Sequence, residues 1–158
     1  MKSIGSAYIA LLAAMLGGLI ICGIGLGQIL INEVELNPPN NGSMWVELYN
    51  PGDQPVDIGG WKVSIKSEPW VGPILIPEGT QIQANGFIVA EGDSRWTPVY
   101  NATVLLEDSQ GAKIDQTPLL SDMSQNDFTY ARITGHEDSD TMADWAWTMA
   151  TKGKPNSI

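Results

Sequence analysis

Two dense turn clusters constrain this chain more than anything else in it. Asn37-Pro38-Pro39-Asn40-Asn41-Gly42 and Asn50-Pro51-Gly52-Asp53-Gln54-Pro55 separate three apolar, β-prone runs, ILINEVEL from Ile29, MWVELYN from Met44 and VDIGGWKVSI from Val56. Proline fixes φ and removes a backbone donor, while Asn and Gly accept positive φ, so neither cluster continues a strand or a helix. Strand, turn, strand, turn, strand is the physical reading, and it predicts an antiparallel β-domain.

The rest of the chain keeps that rhythm. Ile74-Leu75-Ile76 is a short predicted strand, and Ala84-Asn85-Gly86 is a turn leading into Phe87-Ile88-Val89-Ala90. Ala102 to Leu106 and Ala112 to Asp115 flank Asp108-Ser109-Gln110-Gly111 as a hairpin, and Pro118 to Asp127 reads as loop. Phe128 to Ile133 and Trp145 to Thr148 are the last predicted strands. About eight or nine short strands, with no helical period after Gly27, predict a β-sandwich, because each one-sided apolar sheet must be covered by another.

The residues before that domain differ in kind. Ile4 to Gly27 contains no charge and follows Lys2, and a helix of that length reaches ~36 Å, enough to cross a hydrocarbon core. The expectation is one N-terminal apolar helix over residues 1–27, either a cleaved signal peptide with a cut before Gln28 or an uncleaved anchor. Both place Lys2 in the cytoplasm and export residues 28–158, secreted or anchored to the cell membrane, with membrane contact through the N-terminal segment alone. Cys22 is the sole cysteine, which excludes an intrachain disulfide. Ile21 before it is too large for a lipoprotein cleavage site.

The formal charge is −10, and after Lys2 the chain has seven Lys and Arg against 18 Asp and Glu. The seven are scattered, so no phosphate-binding surface forms and nucleic acid is not an expected partner.

Several residue groups invite a chemical reading. Glu33 and Glu47 could be an acid/base pair or metal ligands; the more economical reading has them tie strand ends and loop backbone by hydrogen bonds. The acidic run His136-Glu137-Asp138-Ser139-Asp140, with Asp144 behind it, is the best metal candidate, through Asp138, Asp140 and Asp144. It lacks the spacing and central glycine of a calcium loop, so a solvated loop is expected, with no cofactor. His136 is the only histidine, no Gly-x-Ser-x-Gly elbow is present, and no catalytic residue is assigned. Trp45, Trp61, Trp145 and Trp147 lie in strand runs and are expected in the core. Trp70 and Trp96 lie in proline-containing loops and are the candidate partner contacts. Asn41-Gly42-Ser43 and Asn101-Ala102-Thr103 are glycosylation sequons placed at predicted turns.

Ile31-Asn32-Glu33-Val34, Trp45 to Gly52, Val56-Asp57-Ile58 with Gly60-Trp61, Ile76 to Thr80 and Asn85 to Val89 together resemble the lamin tail domain family. Arg132, Ala143-Asp144-Trp145 and Gly153-Lys154-Pro155-Asn156 fit its last strands. The resemblance implies an immunoglobulin-like sandwich with a binding role and brings no catalytic residues. The expected function is therefore a non-enzymatic, envelope-associated module contacting an envelope protein or glycan. The alternative is a secreted metal-dependent hydrolase built on the acidic loop, or an accessory subunit of one.

Overall fold

A computed structural model describes residues 28–67, 72–135 and 138–158. The expected N-terminal helix, Trp70 and His136 lie outside the described residues. Among the described residues, no helix is long and apolar enough to cross a membrane.

Twelve strands among the described residues form two five-stranded antiparallel sheets and a two-stranded ribbon. The first sheet runs in the order β12 (Trp145–Met149), β11 (Phe128–Arg132), β1 (Leu30–Glu35), β2 (Trp45–Tyr49), β7 (Phe87–Glu91). The second places β8 (Asn101–Glu107) beside β4 (Lys62–Lys66), then β5 (Pro73–Leu75), with β9 (Lys113–Gln116) and β10 (Leu120–Ser121) on the far side of β8. The ribbon pairs β3 (Val56–Asp57) with β6 (Gln81–Ile82). One core joins the sheets, with Ile31, Val34, Val46 and Leu48 from the first and Val63, Ile65, Val104 and Leu106 from the second. This is the all-β sandwich that the apolar alternation demands.

Both turn clusters behave as their residues require. Asn40 and Asn41 take φ of 56°, and Gly42 N–H closes on the Pro39 carbonyl at 3.0 Å. In the second cluster Asn50 Nδ2 donates to the carbonyls of Gln54, Ile82 and Gln83, at 2.8, 3.1 and 3.2 Å. The Asn85-Gly86 turn docks there as well, with Asn85 N–H on the Gly52 carbonyl and Asn50 N–H on the Gly86 carbonyl.

Three expectations are corrected. The run VDIGGWKVSI is two strands rather than one. Gly60 takes φ of +75°, and a Cβ on Gly59 would stand 2.8 Å from the Gly79 nitrogen, so the glycine pair turns the chain from the ribbon into the second sheet. The segment after Pro118 contains β10, because buried Leu120 pairs with Ala102. Asn101 opens β8 instead of sitting in a loop, while its side chain stays exposed.

The pairing of β1 with β2 shifts register at Asn32, between Ile31 and Glu33. That bulge changes the parity of β1, so that Ile31 and Val34 both enter the core although three residues apart. It also sets Glu33 directly opposite Glu47.

Candidate functional site

The sandwich end where β1 begins carries the acidic site. Arg132, at the end of β11, donates from Nε to the Ile31 carbonyl at 2.7 Å and from Nη2 to Asp115 Oδ2 at 2.9 Å. Its Nη1 lies 2.6 Å from Asp138 Oδ2, off the direction of a hydrogen bond, and its guanidinium stands 4.8 Å from the Trp145 ring centre. Asp115 in β9 also accepts the Ile31 N–H at 2.7 Å. One guanidinium therefore ties the two sheets to the acidic loop. Burial raises the Asp115 carboxyl above its ordinary value; the Arg132 charge and the Ile31 and Gln116 amides pull it back. A depression of about 290 Å³ opens beside this cluster, walled by Leu30, Tyr49, Pro51, Arg132, Gly135 and Asp138.

The acidic trio expected from sequence is split. Carboxylate oxygens of Asp115, Asp138 and Asp140 lie within 4.8 Å of one another, but Asp144 is not among them. Asp144 is buried and accepts from Ser139 N, Ser139 Oγ and Thr141 N, closing a capping box with Thr141 on the short 3-10 turn Met142–Asp144. Asp115 was missed because nothing near it in the sequence marks it; a strand from the other sheet delivers it. Three oxygens at that spacing could contact a cation, yet Arg132 already places its charge against two of the three carboxylates. The arrangement works as an ionic clamp, in which losing one partner would strand a buried charge.

Glu33 and Glu47 take the structural role. Glu33 Oε1 accepts from Thr129 Oγ1 at 2.5 Å and Thr151 N at 2.8 Å, and its Oε2 from Thr151 Oγ1 at 2.9 Å. Glu47 accepts from Asn32 Nδ2 at 2.7 Å and Gly153 N at 2.5 Å. All four oxygens have donors, and the pair fastens the C-terminal segment 151–156 across the sheet. Burial raises the Glu47 carboxyl, opposed by Asn32 and the Gly153 amide and helped by Glu33.

The tryptophans divide differently than expected. Trp45 and Trp145 are buried, and Trp61 is half-buried against the core. Trp96, expected as a partner contact, is 2% exposed, with its indole N–H on the Gly72 carbonyl at 3.0 Å. Its place exists because Gly92 has no side chain; a Cβ there would stand 2.5 Å from Trp96 Cβ. Trp147, expected in the core, is 39% exposed. Its strand, β12, is outermost in the first sheet among the described residues, and its ring lies against two rings of β11, Tyr130 at 4.8 Å and Phe128 at 6.0 Å between centroids. With Met149, 58% exposed, these rings make an apolar ledge. Its outward signal in the sequence was the uncharged run WAWTMAT, 145–151, at the last strand. Of the sequons, Asn41 and Asn101 are both exposed, and Asn41 sits in its predicted turn.

No curated protein matches the chain at a significant level. The family model of the Lamin Tail Domain matches residues 25–121, from just before β1 to the end of β10. That stretch contains the ribbon and eight of the ten described strands of the two sheets, and it lacks β11 and β12. With most of its length matched, and with the sheets and turn clusters in place, this chain belongs to the lamin tail domain family.

Proposed function

We propose that this protein is a non-enzymatic binding module that works outside the cytoplasm and engages a partner in the envelope, protein or glycan, through the ledge on β12. The observation that carries the reading is an exposed aromatic and methionine surface, Phe128, Trp147 and Met149, on a sheet edge that pairs with no other strand among the described residues. Five residues from Trp145 to Met149 contain no charge and no proline, and the pairing of β12 with β11 has no bulge. Edges of that kind are normally guarded, as β5 is here by Pro73 and Pro77. An unguarded edge beside aromatic rings suits recognition by strand addition or ring stacking. Arg132, seated between Asp115 and Asp138, supports this reading over a metal-dependent hydrolase. The uncharged stretch Ile4 to Gly27 supports export, by signal peptide or anchor.

The test is affinity capture from the native envelope with the full chain as bait, alongside the Trp147→Ala variant. The reading expects a captured species that falls at least about tenfold with the variant, as for a hot-spot aromatic. Equal capture by both baits would remove the ledge from the account.

A further inference from the structure

Strand β12, outermost in its sheet among the described residues, offers its backbone in a fixed alternation. Ile133 N–H bonds the Asp144 carbonyl and Ala150 N–H bonds the Asp127 carbonyl, each at 2.8 Å, at the two ends of the ladder with β11. Hydrogen-bonded pairs alternate along an antiparallel ladder, so Ala146 and Thr148 turn their N–H and C=O toward β11. Trp147 and Met149 turn theirs outward. Trp145 N–H is taken by the Met142 carbonyl in the short 3-10 turn, with its own C=O outward. The side chains of these three residues share one face. Exposure along it rises from 6% at Trp145 through 39% at Trp147 to 58% at Met149, so the face leaves the core and becomes the ledge.

The charges at the two ends of β12 decide what can pair there. Asp127, exposed, stands where β11 begins and β12 ends. At the other end Asp115, Asp138 and Asp140 gather carboxylate oxygens within 4.8 Å, against Arg132 and against Lys113, which lines the same hollow. Lys152, just after the strand, turns away to Glu91 of β7 at 2.8 Å, on the opposite edge of the sheet. Between these acidic ends, Trp145 to Met149 carry no charge. Two copies of the chain, each with a net charge of −10, would pair antiparallel here with Asp127 of each beside the acidic trio of the other. A saccharide stacks on rings, but it lacks the two-residue repeat of donors and acceptors that matches this edge.

We propose that β12 binds an extended segment of another protein by strand addition, the segment being apolar at alternate central positions and bearing Lys or Arg at both ends. Its backbone continues the sheet at Trp147 and Met149, its apolar side chains lie on the ledge, and its cations meet the acidic ends. The partner's chemistry so defined rests on the ledge reading above.

The experiment records amide hydrogen exchange and chemical shifts of the full chain with synthetic peptides. One has a Val-Thr-Val-Thr-Val centre between Lys pairs, and another has the same centre between Glu pairs. A third is the Lys-flanked peptide N-methylated at its valines, which removes the N–H groups that would face β12. The Lys-flanked peptide should raise protection of the Trp147 and Met149 amides about tenfold or more. The Glu-flanked peptide should bind at least about tenfold more weakly, with salt narrowing the gap. The N-methylated peptide should give no protection. Met149→Pro deletes an outward N–H and no bond to β11, which an edge strand tolerates, and should abolish protection at Trp147. Met149→Lys sets a repelling cation on the ledge and should weaken the Lys-flanked peptide about tenfold; it serves if the proline variant does not fold. No protection with the Lys-flanked peptide, equal binding of both flanked peptides, or protection that survives N-methylation would each overturn the proposal. So would tighter binding of a soluble glucan oligosaccharide at Trp147, or a dimer formed through β12. If these peptides fail while Trp147→Ala still loses the captured envelope species, strand addition falls and the ledge reading stands; equal capture by both baits removes the ledge itself.

Discussion

Glu33 and Glu47 face each other directly across β1 and β2, both fully buried, and the hydrogen bonds to Thr151 and Gly153 make the C-terminal segment their lid. Two like charges in that position destabilise a sheet unless donors surround them. The segment 151–156 is therefore part of the fold. Asn156 completes it by donating to the carbonyls of Asn32 and Arg132, at 3.2 and 2.8 Å.

Removing one donor tests this lid. Thr151→Val keeps the shape and leaves Glu33 Oε2 without its partner at 2.9 Å. We predict a loss of about 1.5–3 kcal/mol, the range for a hydrogen bond to a charged group. Urea unfolding at neutral pH measures it; a loss below about 0.5 kcal/mol, within the scatter of surface substitutions, would mean that the segment is not a lid.

The tryptophans give a second prediction, since the structure ranks them differently from their sequence neighbourhoods. Trp96→Ala empties a buried site and strands the Gly72 carbonyl, so it should cost about 3–5 kcal/mol. Trp61 is half-buried, and Trp61→Ala should cost roughly half as much. Denaturant midpoints of the two variants decide the order. A Trp61 variant the less stable of the two would contradict the burial described here.

Stability should fall as pH rises from about 5 to about 8. Glu35 moves from 4.5 to about 7 on folding, and Glu47, Asp115 and Asp122 are also raised, chiefly by burial. A raised carboxyl binds more protons folded than unfolded, so its effect on stability is lost as pH climbs through that window. Glu35 alone accounts for on the order of 2–3 kcal/mol. Melting temperatures across the window give the sign, and a maximum near pH 8 would contradict it.

Calcium should do little. Arg132 already sits against Asp115 and Asp138, so a cation would have to displace a bonded guanidinium. Millimolar Ca²⁺ should leave the melting temperature within the general screening that Mg²⁺ gives at matched ionic strength. A rise specific to Ca²⁺ and abolished by Asp140→Asn would establish a metal site there.

Much of this fold is legible in the sequence because its turns are chemically explicit. Asn40, Asn41 and Asn85 adopt the positive φ that their residue type allows, and each strand run between them pairs. What failed depends on partners distant in the chain. Asp115 joins Asp138 through the stacking of sheets, and Trp96 finds its pocket over Gly92. Trp147 has the same alternation as a core residue, and only its strand's outermost place exposes it. Periodicity reports which face a residue shares, not whether anything covers that face.

The β12 edge is proposed as the place where a partner sits. A photo-crosslinking side chain placed at Met149 in the full chain, in its own cells, tests it most directly, with exposed Lys66 in β4 as the control position. The account predicts a discrete adduct from position 149 that is absent from position 66 and is lost on adding Trp147→Ala. Adducts of equal yield from both positions, or none from position 149 while position 66 gives one, would contradict it.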